Sequence, residues 1–204
     1  MPDARGRPRI AAVVLAAGGS TRFGSPKQLY MHEGEPLARR AVMSAIAAGA
    51  DPVVVVLGAS ADEITPTLAG LSSVTVVNDE WETGLASSLV TGLQTVARME
   101  TVDGALITLV DQPLVDAGAL ARLIASFDAK HRIVAADYGD TMGVPVVIGR
   151  EHFAELINLT GDRGAGAWLR SRSREVTTVP LDAASVDIDT QADASRLESD
   201  GEED

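Results

Sequence analysis

The run IAAVVLA at residues 10–16 is apolar at every position and carries β-branched side chains, the pattern of a strand buried inside a sheet. It leads straight into a glycine-rich turn, LAAGGSTRFGSPKQL, from Leu15 to Leu29. Ala16, Ala17, Gly18 and Gly19 carry almost no side chain, so the backbone can pass close to a ligand with its N–H groups facing oxygen atoms. Ser20 and Thr21 add hydroxyl donors, Arg22 a rigid donor fork and Lys27 a mobile point charge. Such a turn at the end of a buried strand predicts a polyphosphate site. The alternative is a tight exposed turn with incidental cations, which two glycine-rich pairs so close to Arg22 and Lys27 disfavour. The turn is not a Walker A loop, because GxxxxGK[ST] is absent, and Gly18, Gly19 and Gly24 lack dinucleotide-binding spacing. The second apolar strand ends VVVVLG, without the acidic residue that would hold an adenosine ribose.

The remaining elements alternate. Strands are predicted at 53–57, 74–77, 105–110, 132–136, 144–148, 175–179 and 186–188. Helices are predicted at 36–48, from 85 to about 99, at 116–128, near 150–157, at 164–171 and from about Ala192. Pro36 stands at a good helix start, and Ser60 can cap a short helix with Glu63 three positions on. This order argues a three-layer α/β/α domain with a mostly parallel sheet. Residues 137–181 break the simple alternation and are expected to form the second side of the cleft. We divide the chain into a tail at 1–9, one domain at 10–197 and an acidic tail at 198–204.

In a parallel α/β sheet ligands sit beyond the C-terminal strand ends. Asp111 stands there, after ALITLV and before Gln112–Pro113. A carboxylate at that edge can hold Mg²⁺, a hard cation that keeps waters and substrate phosphates around it; the alternative is a turn or cap residue. Asp187 and Asp189 flank Ile188 in VDIDT, and in an extended segment they point to one side. Asp187 is the favoured second metal ligand, while Asp189 or Thr190 can instead cap the following helix.

The stretch NDEWETGLASSLVTGL, Asn78 to Leu93, gives a polar loop ending at Gly84 and a helix whose small face carries Ser87, Ser88, Thr91 and Gly92. Those residues let a base or ribose approach, or let the helix pack closely on the sheet. Ser88 is taken as a nucleotide contact, and Trp81 is either a lid or core packing. His32, His131 and His152 form no metal pattern and read as structural.

The net charge of −12 with no basic tract excludes nucleic acid as a partner. With no cysteine, disulfides, thiolate catalysis and Cys-built metal sites are excluded, which fits a cytoplasmic protein. No apolar stretch reaches the ~20 residues of a membrane span, and MPDARGRPRI lacks the apolar region of a secretory signal.

Together LAAGGSTRFGSPKQL, NDEWETGLASSLVTGL, VDQPLV, GDRGAGAWL at 161–169 and VDIDTQAD at 186–193 resemble the MobA-like nucleotidyltransferase superfamily, and more closely its molybdenum cofactor cytidylyltransferase branch. That branch includes proteins described as nicotine blue oxidoreductases, which makes an NAD(P)H-dependent oxidoreductase one alternative; a transferase using another NTP or acceptor is the other. The resemblance implies a Rossmann-like mixed sheet of the GT-A type. It implies transfer of CMP from CTP to a phosphorylated acceptor, molybdopterin or the molybdenum cofactor, with Mg²⁺ and release of pyrophosphate. A molybdoenzyme or maturation factor is the implied protein partner.

Carried over by position, Leu15, Ala16, Ala17, Gly18, Gly19 and Ser20 would hold base and phosphates, with Asn78, Gly84 and Ser88 completing the nucleotide site. Arg22 and Lys27 would contact the phosphates, and Asp111 with Asp187 or Asp189 would hold the metal. Ala17 resembles the cytidine-using branch, since the guanylyl branch usually has LAGG. Two positions depart from the family: Val144, where Gly-His-Pro is common, and Gly166, where an arginine is usual. Arg163 or Arg170 is the candidate replacement for that charge.

Overall fold

A computed structural model describes residues 6–139, 141–161 and 164–200. Its core is a seven-stranded sheet in the order β5-β4-β1-β6-β8-β7-β9. The strands are β1 (Ile10–Ala16), β4 (Val53–Leu57), β5 (Ser73–Val77), β6 (Gly104–Leu109), β7 (Ile133–Asp137), β8 (Met142–Gly149) and β9 (Thr177–Pro180). Strand β8 runs antiparallel to both β6 and β7; the other pairs are parallel. The expected mixed α/β/α architecture is therefore present.

Helices cover both faces, which is why β1 needs no polar alternation. Ala12, Val14 and Ala16 pack with Ala38, Val42 and Ala45 of α1 (Leu37–Ala47), Ile64 of α2 (Ala61–Ile64) and Leu120 and Leu123 of α4 (Ala117–Ala125). Ala11, Val13 and Leu15 face the other way. They meet Leu89, Leu93 and Val96 of α3 (Leu85–Ala97), Phe153 and Leu156 of α5 (Phe153–Leu156), and Trp168 and Leu169 of α6 (Ala165–Ser171). Burying both faces of one strand makes these alternating sets the main apolar contribution to the fold. Gly92 permits the close approach of α3: a Cβ there would lie 2.3 Å from Val13 Cγ1 and 3.0 Å from Val56 Cγ2.

Several expectations are corrected. The segment 186–188 is not a strand; a 3-10 turn at Asp182–Ser185 precedes it, and the Ile188 N–H donates to the Asp111 carbonyl at 2.8 Å. Ser60 precedes α2 in the left-handed region (φ 55°) and its side chain caps nothing; its carbonyl accepts the Glu63 and Ile64 N–H groups instead. Pro36 ends a two-stranded ribbon, β2 (Met31–His32) with β3 (Glu35–Pro36), so α1 begins one residue later.

Contacts hold the chain at both ends of the described residues. Arg9 is tied down, its N–H donating to Asp103 and its guanidinium pairing with Asp51 at 2.8 Å. At the other end α7 (Gln191–Asp200) continues past 197, and the Tyr30 hydroxyl donates to Glu198. Among the described residues no helix is long and apolar enough to cross a membrane.

Candidate active site

The C-terminal ends of β4, β1 and β6 lie side by side, with Leu57 paired to Ala16 and Leu15 to Leu109. The chain leaving β1 and β6, with the segment after β5 and the start of α3, lines one cleft of about 340 Å³. Its walls are Leu15 to Gly19, Lys27 and Gln28 on one side, and Trp81, Glu82, Gly84, Leu85 and Ser88 on the other. Leu109, Val110 and Asp111 form its floor.

The glycine turn is held from beneath. Gln28, 1 % exposed, donates from Nε2 to the carbonyls of Ala16 at 2.9 Å and Gly18 at 2.8 Å. The Ala17 carbonyl accepts the Ala59 N–H at 3.1 Å. Three successive carbonyls are thus committed to the protein, and the exposed amides of the same turn border the cleft. Ser20, at φ 52°, supports the turn: its hydroxyl donates to Gln28 Oε1 and accepts the Lys27 N–H. Phe23 anchors the far end, buried with Leu37, Ile188 and Ala194 and edge-on to Tyr30. Sequence reasoning missed both anchors; a buried glutamine and a phenylalanine inside a polar, glycine-rich turn were the available signals.

Lys27 is the centre of the charged part. Its Nζ lies 2.7 Å from Asp111 Oδ2, 3.2 Å from Asp189 Oδ1 and 3.2 Å from the Ile188 carbonyl. Burial lowers its pKa, but the neighbouring Asp111 and then Asp189 outweigh this and hold the ammonium above its ordinary value. Arg22 pairs with the second Asp189 oxygen at 2.9 Å and is otherwise exposed. Asp111 Oδ1 is buried and makes no hydrogen bond.

Asp187 and Asp189 take different places in the site. Asp189 joins Asp111 on Lys27, while Asp187 lines an adjoining groove with His32, Leu114, Val186 and Leu197. Burial, then repulsion from Asp111 and Asp189, pushes the Asp187 carboxyl up to about 6.

Ser88 is on the cleft wall as expected, and its hydroxyl accepts a hydrogen bond from Asn78 Nδ2 at 3.0 Å. Asn78 itself is buried behind that wall; it also bonds Ser87 and, through Oδ1, the Glu80 N–H. It shapes the loop rather than lining the cleft. Gly84 lines the cleft in a positive-φ conformation (117°) ahead of α3. Trp81 combines the two roles considered for it. It lines the cleft and packs on the glycine turn, where a Cβ at Gly19 would come within 2.8 Å of its ring.

Gln112, 6 % exposed, was not singled out from the sequence. It donates to the carbonyls of Val144 at 3.1 Å and Ala184 at 2.8 Å, tying the Asp111 turn to β8 and to the segment that carries Asp189. Tyr138 donates to the same Val144 carbonyl. Of the candidates for the missing charge at Gly166, Arg170 has its Nη1 3.6 Å from where a Cβ at Gly166 would stand. Arg163 and Asp162 lie outside the described residues. His131 bonds Asp128, His152 lies edge-on to Trp168 at 5.5 Å, and His32 lines the groove beside Asp187.

The MobA-like NTP transferase domain matches residues 12–176, from β1 to the approach to β9. The chain belongs to the MobA-like NTP transferase family. A MobA-like NTP transferase is a nucleotidyltransferase. One curated relative, the nicotine blue oxidoreductase of Paenarthrobacter nicotinovorans, is 31 % identical over 93 % of this chain and 97 % of its own length. Rv0371c from Mycobacterium tuberculosis has a crystal structure that superposes with a TM-score of 0.80 at 32 % identity, over 94 % of this chain and 98 % of that one. A second structure of Rv0371c is a complex with manganese, at 31 % identity and a TM-score of 0.76, covering 93 % and 97 % of the two chains. A nucleotidyl transferase from Methanothermobacter (Mth528) shares the fold with a TM-score of 0.81 at 24 % identity, over 94 % and 96 %.

Proposed function

We propose that this nucleotidyltransferase moves CMP from CTP to a phosphorylated small molecule, a molybdopterin-type acceptor, and releases pyrophosphate. The observation that carries this reading is the convergence of the glycine turn, Lys27 and Asp111 on one cleft, with Asp189 paired to Lys27. The choice of CTP is supported by Ala17, whose side chain stands buried in the cleft wall where the guanylyl branch has glycine. A molybdoenzyme or its maturation factor would then receive the product.

The residues present fit Mg²⁺. Two carboxylates from different segments already converge on one cation, the Lys27 ammonium, and Asp111 Oδ1 is a buried acceptor without a donor. Among the described residues no group of three or more His, Cys, Asp or Glu side chains could hold a metal by itself. That suits an ion bound through one or two carboxylates plus substrate phosphates. Asp111 and Asp189 would hold it, with Asp187 in the adjoining groove. When bound, it would supply Lewis-acid stabilisation of the charge on the phosphate oxygens.

The chain's own groups do the rest. The amides at Gly18 and Gly19 bind the polyphosphate, and Lys27 and Arg22 stabilise the charge that builds up at the α-phosphorus and on the departing pyrophosphate. An ionised acceptor phosphate is already nucleophilic, so no general base is required. The test is pyrophosphate release from CTP with Mg²⁺ and a phosphorylated pterin. Release that needs both, and is slower with GTP, supports the proposal; release unaffected by removing Mg²⁺ or the acceptor contradicts it.

A second reading, NAD(P)H-dependent oxidoreduction, is favoured by the 31 % identical relative, a nicotine blue oxidoreductase. Against it, β4 ends at Leu57 and passes into Gly58, with no acidic side chain to hold a ribose.

A further inference from the structure

The charges around Lys27 form a closed set. Its ammonium sits among Asp111 Oδ2, Asp189 Oδ1 and the Ile188 carbonyl, all within 3.2 Å. Arg22 takes the other oxygen of Asp189 at 2.9 Å. These two cations pair with Asp111 and Asp189, and the Asp187 carboxyl adjoins the cluster, repelled by both. The lysine side chain is only 11 % exposed and Asp111 only 21 %, so the cluster is poorly screened by water. Adding a divalent cation to the same oxygens with Lys27 in place would bring like charges together in a half-buried site, which is strongly unfavourable.

We propose that Lys27 is the resident cation of this site. In the nucleotide-free protein its ammonium holds the place between Asp111 and Asp189, and a divalent cation takes that place by displacing it. This rests on the nucleotidyl-transfer reading and adds a coupling to it. The displaced Lys27, with Arg22 released from Asp189, is freed to meet polyphosphate oxygens. Metal and polyphosphate then favour each other's binding, because each provides what the exchange requires: the metal replaces the ammonium between the carboxylates, and the phosphates replace the carboxylates around the ammonium. The same lysine keeps buried carboxylates neutralised before substrate arrives, which avoids the penalty of an unpaired buried charge.

Two measurements test the exchange, both with Mn²⁺ alone as the probe and no nucleotide. Titration followed by the electron paramagnetic resonance of free Mn²⁺ compares wild type with Lys27→Met. The variant is expected to bind Mn²⁺ about tenfold or more tightly, since the competing ammonium is gone. Equal or weaker binding by the folded variant overturns the proposal.

The second measurement uses the wild type, so it does not depend on a variant that folds. The chain has only two lysines, Lys27 and Lys130, and Lys130 is exposed and serves as an internal reference. Labelling with an amine-reactive reagent, read by mass spectrometry, should be slow at Lys27 without metal. It should rise severalfold as Mn²⁺ is added, while Lys130 is unchanged. Labelling of Lys27 that stays constant or falls across the Mn²⁺ series overturns the exchange. If wild type still binds CTP with Mg²⁺ when that happens, only the exchange fails; if it binds neither, the nucleotidyl-transfer reading fails with it.

Discussion

Gln28 Nε2 donates to the Gly18 carbonyl at 2.8 Å, so a buried side chain at one end of the glycine turn fixes the backbone at the other. The same nitrogen reaches the Ala16 carbonyl at 2.9 Å. Replacing Gln28 by Ala leaves both carbonyls without this donor, and an unsatisfied buried polar group costs about 1–3 kcal/mol. Urea unfolding should report a loss in that range. Calorimetry should report weaker CTP binding, because the turn loses the bonds that set its shape. Unchanged CTP affinity in a destabilised variant would leave Gln28 with a purely structural role.

Gly92→Ala sets two effects against each other. Alanine is favoured over glycine inside a helix by about 1 kcal/mol. Against this, the new Cβ would stand 2.3 Å from Val13 Cγ1, in a strand with no room to yield. Overpacking of this kind costs about 1–3 kcal/mol, so a net loss of stability is expected. A shift of the urea midpoint to higher concentration would contradict the packing role.

Lys27→Ala and Asp111→Asn should each remove most turnover while leaving the far-ultraviolet circular dichroism of the native fold. Loss of one preorganised charge contact at a transition state lowers turnover by about 10²–10³-fold, the drop expected for Lys27→Ala. Wild-type turnover in Asp111→Asn would remove the metal-binding assignment.

The tyrosines set an alkaline limit. The chain has only two, Tyr30 and Tyr138, and both are raised to about 12 from an ordinary value near 10. The bond to Glu198 raises Tyr30; burial raises Tyr138. A phenol whose folded pKa is raised contributes stability that is fully present below pH ~10 and is lost as pH rises through ~12. Absorbance at the tyrosinate band should therefore stay near zero in the native protein at pH ~11 and appear at once on unfolding. Tyrosinate absorbance in the folded protein near pH ~10 would contradict both contacts.

Much of the fold was readable because its main strands are buried on both faces. IAAVVLA and VVVVL carry no polar residue, and such runs fit only a covered sheet. The glycine turn and Asp111 were readable for a related reason: small or charged residues directly after a buried strand mark the open edge. What could not be read depended on contacts between distant segments. The pairing of Asp189 with Lys27 and the bond from the Ile188 N–H to the Asp111 carbonyl join segments far apart in the chain. The clamp by Gln28 and the anchoring of Arg9 on Asp51 and Asp103 are likewise tertiary. Asn78 looked like a ligand group because its loop is polar; its amide is spent on Ser87 and Ser88.

The central claim is that this cleft binds a nucleoside triphosphate together with a divalent cation. Calorimetric titration with CTP, GTP and NADPH, each with and without Mg²⁺, tests it most directly. CTP is expected to bind only with Mg²⁺ and more tightly than GTP, with no heat from NADPH. Binding of NADPH alone, indifferent to Mg²⁺, would contradict it and make the oxidoreductase reading the leading one.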